Sequence, residues 1–206
     1  GWTDFGWQGL RLQVPEAWNL GRVDGNADSG YVRLDDAHIV RGELEWRTVR
    51  GAAVHLDALV GRYLETLEKK ARKTGIAFRV QRRASFLAEP GWLAGREHET
   101  FTWQADYQAY NLALRTGADR IALLRVLAPL EERCDAMVAG VVSSLRDEHE
   151  APQWYWSVFG FRFHMPAEYK LDEHELRSGH IKLTFVHGRD TCQVERLGMA
   201  RQLLRG

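Results

Sequence analysis

The sequence predicts an α+β fold: an antiparallel β-sheet packed by two amphipathic helices in the order β-β-β-α-β-β-β-β-α, then a partial second copy of the opening meander. Three observations predict it. Two stretches repeat apolar residues at helical spacing, while most others alternate at period two. Clusters of turn-forming residues punctuate the alternating stretches. The two ends of the chain also resemble each other. Gly9-Leu-Arg-Leu-Gln-Val-Pro-Glu-Ala-Trp-Asn-Leu20 reads against Gly160-Phe-Arg-Phe-His-Met-Pro-Ala-Glu-Tyr-Lys-Leu171 at an offset of 151 residues. Ser29-Gly-Tyr-Val-Arg-Leu34 reads against Ser178-Gly-His-Ile-Lys-Leu183 at an offset of 149.

Leu10, Leu12 and Val14 alternate with Arg11 and Gln13, the mark of a half-buried strand that Pro15 ends. Asp24 to Gly30 is turn chemistry. Val32 and Leu34 share one strand face, with Tyr31 and Arg33 on the other. After Asp35-Asp36, Leu44 and Trp46 point one way, and Arg41, Glu43, Glu45 and Arg47 the other. Residues 9–48 therefore read as a three-stranded antiparallel meander with one apolar and one charged face. Leu56, Leu59, Val60, Tyr63, Leu64 and Leu67 then form a helical stripe. Lys69, Lys70, Arg72 and Lys73 suit the negative end of its dipole, and Gly75 is placed to stop it.

Strand patterns return at Phe78 and Val80, Phe101 and Trp103, Tyr110 to Leu114, and Ile121 to Leu127, with a tight turn over 116–119. The last of these strands is apolar on both faces except at Arg125, as expected of a central strand covered on both sides. Cys134, Met137, Val138, Val141, Val142 and Leu145 make a second helical stripe, with Glu131 and Glu132 before it. Residues 147–153 read as a linker. The expected organisation is a complete α+β domain over 1–150 and a partial repeat of the N-terminal meander over 151–206, with a helix beginning within 196–204. An isolated meander leaves an apolar face bare, so 154–206 is expected to pack on the first domain or on another chain, burying Phe161, Phe163, Ile181 and Leu183.

The chain has 206 residues, with 28 basic and 28 acidic side chains and no formal net charge. No global field draws it to nucleic acid or an anionic membrane. No apolar run approaches the roughly 18 residues that cross a bilayer. The two cysteines, Cys134 and Cys192, are no disulfide framework, and a cytoplasmic location is expected. A chain that begins at Gly1 without Met reads as processed or excised.

The candidate chemistry is sparse. Eight tryptophans (Trp2, Trp7, Trp18, Trp46, Trp92, Trp103, Trp154 and Trp156) suggest a ligand platform, but their strand positions favour core roles. His164, His174, His180 and His187 crowd together without the spacing that sets two metal ligands on one face. Gln13 and Tyr31 hold the places of His164 and His180 in the first copy, which favours solvent-facing strand residues. Lys69, Lys70, Arg72, Lys73, Arg79, Arg82 and Arg83 form a basic run over 69–83 that suits an acidic partner. Glu43 and Glu45 read as rungs of a charge ladder with Arg33, Arg41 and Arg47. Cys134 reads as a buried, inert thiol. No residue is assigned to catalysis, to a cofactor or to a metal.

Pro15-Glu-Ala-Trp18, echoed by Pro166-Ala-Glu-Tyr169, follows the first strand of each copy. With the order meander, long helix, second meander and amphipathic helix, this resembles the PsbP-like superfamily. The resemblance covers 1–150 once and 154–206 in part. It implies the fold, and implies a non-catalytic interaction module, since most members are of that kind.

The resulting expectation is a non-catalytic α+β module that binds a protein or small ligand through the charged meander face or the junction of the two copies. The alternative is an enzyme or small-ligand protein with its site in the cleft between the copies. A third reading is binding of an acidic partner through 69–83. Nucleic acid and membrane partners are not expected. The half-copy is expected to be completed by a C-terminal segment or by another copy of the chain.

Overall fold

The computed structural model describes residues 1–49, 54–88, 90–116, 119–177 and 179–198. Five strands come first: β1 (Trp2–Trp7), β2 (Leu10–Pro15), β3 (Asn19–Gly25), β4 (Ser29–Asp35) and β5 (Val40–Thr48). Helix α1 (Leu56–Thr74) follows, then β6 (Arg79–Arg82), β7 (His98–Gln104), β8 (Tyr107–Thr116), β9 (Arg120–Pro129), helix α2 (Asp135–Ser144) and the two-residue β10 (Arg146–Asp147). Five more strands close the described chain: β11 (Gln153–Val158), β12 (Phe161–Pro166), β13 (Lys170–Arg177), β14 (His180–His187) and β15 (Asp190–Leu197). The fold is α+β with antiparallel sheets and two helices.

Both helices fall where the apolar stripes put them. Leu56, Val60 and Leu64 of α1 bury against Phe101, Ala113 and Ile121, each worth about 1.5–3 kcal/mol for a full aliphatic side chain. Gly75 ends α1 at φ 70, and its N–H and that of Ile76 return to the last-turn carbonyls. The N-terminus is capped from a distance: the Leu56 N–H donates to Glu97 Oε1 at 3.1 Å.

The strands differ in detail from the sequence reading. The three expected before α1 are present, and β1 and β3 join them. β3 is exposed or half-exposed throughout, so nothing in its burial demands alternation. The expected single meander over 9–48 is divided. After Pro15 the chain turns, with the Trp18 N–H donating to the Pro15 carbonyl at 2.9 Å. β2 stays with β1 in one sheet, while β3, β4 and β5 begin another. Asp24, Gly25, Ser29 and Gly30 belong to strands, so the turn is narrower than the composition suggests. The expected linker starts on β10 and ends on β11. Arg196 and Leu197 finish a strand rather than start a helix; Ser178, residues 117–118 of the expected tight turn, and residues from 199 onward lie outside the described residues.

A seven-stranded antiparallel sheet runs β3-β4-β5-β9-β8-β7-β6. As its sequence implies, β9 is central. A five-stranded sheet runs β10-β2-β1-β11-β12, and a three-stranded sheet β13-β14-β15. α1 covers one face of the seven-stranded sheet. The other face carries Val32, Leu44, Trp46, Leu112, Leu124 and Val126 into one core with α2, the β1–β2 hairpin, Trp154, Trp156 and the buried Ile181, Leu183 and Phe185. Phe161 and Phe163 pack half-buried against that core. Residues 153–197 thus bury their apolar face on the rest of the chain.

The two hairpins of the five-stranded sheet match in geometry. Gln8-Gly9 turns with φ 52 and 78, and Phe159-Gly160 with φ 50 and 71, the two positive φ values of a type I′ hairpin. The Glu16 N–H donates to the Gly1 carbonyl and the Ala167 N–H to the Pro152 carbonyl. The ladder of β3 slips between Leu20 and Arg22, and that of β13 between Leu171 and Glu173. All these pairs stand 151 residues apart. The β1 and β11 strands meet at Gly6 and Ser157, again 151 apart, so a local two-fold passes between the hairpins. Strand pairing also corrects the second sequence block. Leu34 faces Leu20 as Phe185 faces Leu171, which holds the offset at 151 through β4 and β14 rather than 149. Tyr31 accordingly corresponds to Lys182, not His180. A shift of two keeps every side chain on its face, so hydropathy alone does not separate the two registers.

Candidate functional site

Beside the two-fold the molecule opens. β3 and β13 are outer strands of different sheets, and their outer sides border one cavity of about 420 Å³ lined by Leu20–Val23, Phe159 and His174–Arg177. A second cavity, about 430 Å³, is lined by Asn19, Phe159, Arg177, Ile181 and Arg196 among others. A third, about 160 Å³, runs beneath Trp18, Leu20 and Phe159. Phe159 borders all three.

Phe159 is 47% exposed. Its counterpart Gln8 is 2% exposed, beneath the loop that follows β10. The Phe159 backbone is fixed from β15, where Arg196 Nη1 donates to its carbonyl at 2.8 Å. Around the ring stand Arg22, Arg177 and Arg196, with the carboxylates of Asp24 and Glu175 beside the first two. Glu175 lies 2.9 Å from Arg177 and 3.6 Å from His180. Arg22 pairs with Asp24 at 2.7 Å and holds that carboxyl below its usual range, aided by the Gly25 N–H. The cleft therefore joins an exposed aromatic side chain, two strand edges and two ion pairs.

The charged meander face is engaged from within. Glu43 accepts from Tyr31 Oη and from Arg125, whose Nε lies 2.6 Å away, and Arg125 donates onward to Tyr63 of α1. Burial and the Glu43 carboxylate push the Tyr31 phenol above its ordinary range. Arg41 leaves the face for Asp36 (2.5 Å) and Glu132 (2.7 Å), and Arg33 pairs with Asp35 at 3.0 Å. The expected ladder is replaced by a network that ties β4, β5, β9 and α1 together.

A cavity of about 370 Å³ beside the start of α1 collects Asp57, Glu97, His98 and Glu99. Arg82 grips the buried Glu99 through two bonds of 2.7 and 2.6 Å and reaches Asp57 at 2.8 Å. Arg115 binds Glu97 at 2.6 Å and holds its carboxyl below the usual range. That shift favours the ionised Glu97 carboxylate, the opposite of what a general acid needs.

A further polar group is sealed beneath the first hairpin turn. Arg120, 0% exposed, donates to the Gln8 carbonyl at 2.8 Å and lies 3.3 Å from Asp147. Burial, and then the Arg120 charge, lower the pKa of the neighbouring His149.

The sequence candidates scatter. Trp7, Trp18, Trp46, Trp154 and Trp156 are core, Trp92 and Trp103 are half-buried, and Trp2 is exposed. His164 lies tilted beside Tyr155, His174 and Trp7 meet edge to face, His180 bonds Glu195 at 2.6 Å and His187 lies by Tyr169. Among the described residues no three His, Cys, Asp or Glu gather as metal ligands. Lys69, Lys70, Arg72 and Lys73 are exposed on the end of α1, while Arg82 turns to Glu99 and Asp57. Burial raises the pKa of the Cys134 thiol. The sequence reading missed Phe159. The signal was its place before Gly160 between two alternating runs, where a hairpin of this type prefers Asn or Asp.

No protein-family model and no curated protein matches this chain. Among solved structures, a crystal structure of a protein from Bacteroides thetaiotaomicron is similar at 14% identity and a TM-score of 0.33, over 68% of this chain. The present chain spans 45% of that one. Among the described residues no helix is long and apolar enough to cross a membrane.

Proposed function

We propose that this protein is a non-catalytic interaction module, built from two copies of one five-strand repeat (β1–β5 and β11–β15), that takes a partner polypeptide in the cleft between the copies. The observation that carries the reading is Phe159. A bulky aromatic residue sits half-exposed on a left-handed backbone position, at the meeting point of three cavities. Such a residue costs stability where Asn would not, and exposed aromatic side chains are the anchors of protein interfaces. The matched turns, bulges and register support duplication. The sequence resemblance to PsbP-like modules agrees with this function.

The test is a selection of binders from a random peptide library displayed on phage, run on the intact protein and on Phe159→Asn in parallel. The expected result is a recurrent sequence pattern recovered with the native protein and lost with the variant, whose fold is checked by circular dichroism. Recovery of the same sequences with both proteins, or of none with either, overturns the proposal.

A further inference from the structure

A separate cavity lies on the helix-covered face of the seven-stranded sheet. We infer that it binds a small aliphatic carboxylate, with the alkyl chain between α1 and the sheet and the headgroup on Arg47 and Arg62. The cavity measures about 280 Å³, close to the lower end of small-ligand sites. Leu59, Val60 and Tyr63 of α1 form one wall, and Phe101, Ala113, Ile121 and Leu123 the floor. It shares no lining residue with the three cavities around Phe159, so it stands apart from the interaction reading.

The sequence makes the gap. β8 places alanine at 113, where its partners on β7 and β9 are the larger Glu99 and Leu123, so the floor is low beneath the helix. Packed interiors hold few voids wider than a water molecule, yet leucine, valine and aromatic side chains border this one. Leu59, Tyr63 and Leu123 stay half-exposed along it. The Tyr63 wall is held in place: its hydroxyl accepts from Arg125, and its ring meets Phe101 edge to face with centroids 6.0 Å apart.

The charges at the mouth choose the headgroup. Arg47, Arg62 and Glu45 line it, and all three are exposed. None of them makes an ion pair with a described residue. The next carboxylate along β5 is already committed, since Glu43 accepts from Arg125 at 2.6 Å and from Tyr31. Two guanidinium groups against Glu45 alone leave one negative charge to be supplied, and a planar carboxylate matches the guanidinium fork. The apolar walls reject a ligand that is polar throughout.

The probe is a series of straight-chain carboxylates from butanoate to tetradecanoate, kept below micelle-forming concentrations and titrated into the full chain by calorimetry. The expected result is one-site binding that tightens about fourfold per added methylene and stops tightening before dodecanoate. Octylamine is expected to bind about tenfold more weakly than octanoate, or worse. Ala113→Leu, which raises the floor, is expected to abolish octanoate binding without lowering the urea midpoint. Arg47→Gln with Arg62→Gln is expected to weaken it by about tenfold or more, and Phe159→Asn to leave it unchanged. No saturable binding, equal binding of octylamine, or undiminished binding by a folded Ala113→Leu overturns the inference. So does tightening that continues through tetradecanoate, which marks adsorption to apolar surface at large. If Ala113→Leu does not fold, the arginine pair decides, and undiminished binding by that double variant overturns the inference. None of these outcomes touches the selection of Phe159-dependent peptides.

Discussion

Arg120 and Arg196 reach corresponding carbonyl oxygens at the same distance, Arg120 to Gln8 and Arg196 to Phe159, each 2.8 Å. They come from different strands. In the first unit Trp46 faces Gly30 across β4 and β5, and Arg120 arrives from β9 to lie over the Trp46 ring at 5.9 Å. In the second unit Arg196 faces Ile181, which puts an arginine where the first unit has Trp46. The same need, a donor for a turn carbonyl, is met once from a buried neighbour and once from the unit itself.

The two arginines should therefore differ in worth. Arg120 and Asp147 have side chains 0% and 2% exposed. Arg120→Met strands a buried carboxylate and is expected to cost about 3–5 kcal/mol, much of it recovered in Arg120→Met with Asp147→Leu. Arg196→Met, at an exposed site, is expected to cost less than about 1 kcal/mol. Urea unfolding of the four proteins checks both values, and equal losses at the two sites would contradict this account.

Phe159→Asn is expected to stabilise the fold by about 1 kcal/mol, because Asn tolerates the left-handed region in a type I′ turn. The shift reads directly as a higher urea midpoint. A gain in stability with a loss of binding is the signature of a residue retained for its surface.

Gly6 sits where the two hairpins meet. A Cβ there would lie 2.6 Å from the Tyr155 carbonyl oxygen and 2.8 Å from its ring. Both are too close for van der Waals contact, and one is backbone. Gly6→Ala is expected to cost about 2 kcal/mol by forcing β1 from β11. Calorimetry would show a lowered Tm, and an unchanged Tm would mean the strands yield freely.

His149 should make the protein acid-sensitive. Its folded pKa lies below the ordinary 6.5, through burial and then the nearby Arg120 charge. Between the two values the unfolded chain binds more protons, so this contribution is fully present above 6.5 and is lost as pH falls through the folded value. Comparing urea midpoints between about pH 7.5 and pH 5, His149→Gln is expected to flatten the slope. An identical slope in the variant would place the acid response elsewhere.

The sequence disclosed what burial enforces. Leu56, Val60 and Leu64 must face the sheet together, so α1 shows at helical period. β9, covered on both sides, shows as continuous apolar residues. β3 was hidden because neither of its faces is fully buried, whereas β6, exposed throughout, still showed in the alternation of Phe78 and Val80. The candidate cleft was hidden for another reason. Gln8 and Phe159 hold equivalent turn positions, and only the packing decides that one is sealed by Arg120 while the other meets solvent. Nothing local distinguishes a strand edge facing water from one facing a gap shared with β13.

The junction at β1 and β11 also constrains how the molecule is made. Tyr155 reaches back to Asp4 across 151 residues, the Oη–Oδ2 distance being 3.3 Å. During synthesis the β1–β2 hairpin is made long before β11 and waits with one β1 edge unclaimed until the chain has grown past residue 153. Contacts of such range close slowly. The Trp2–Trp7 edge thus stays open for long in the nascent protein, and it is where a chaperone would be needed and where two half-made chains would exchange hairpins.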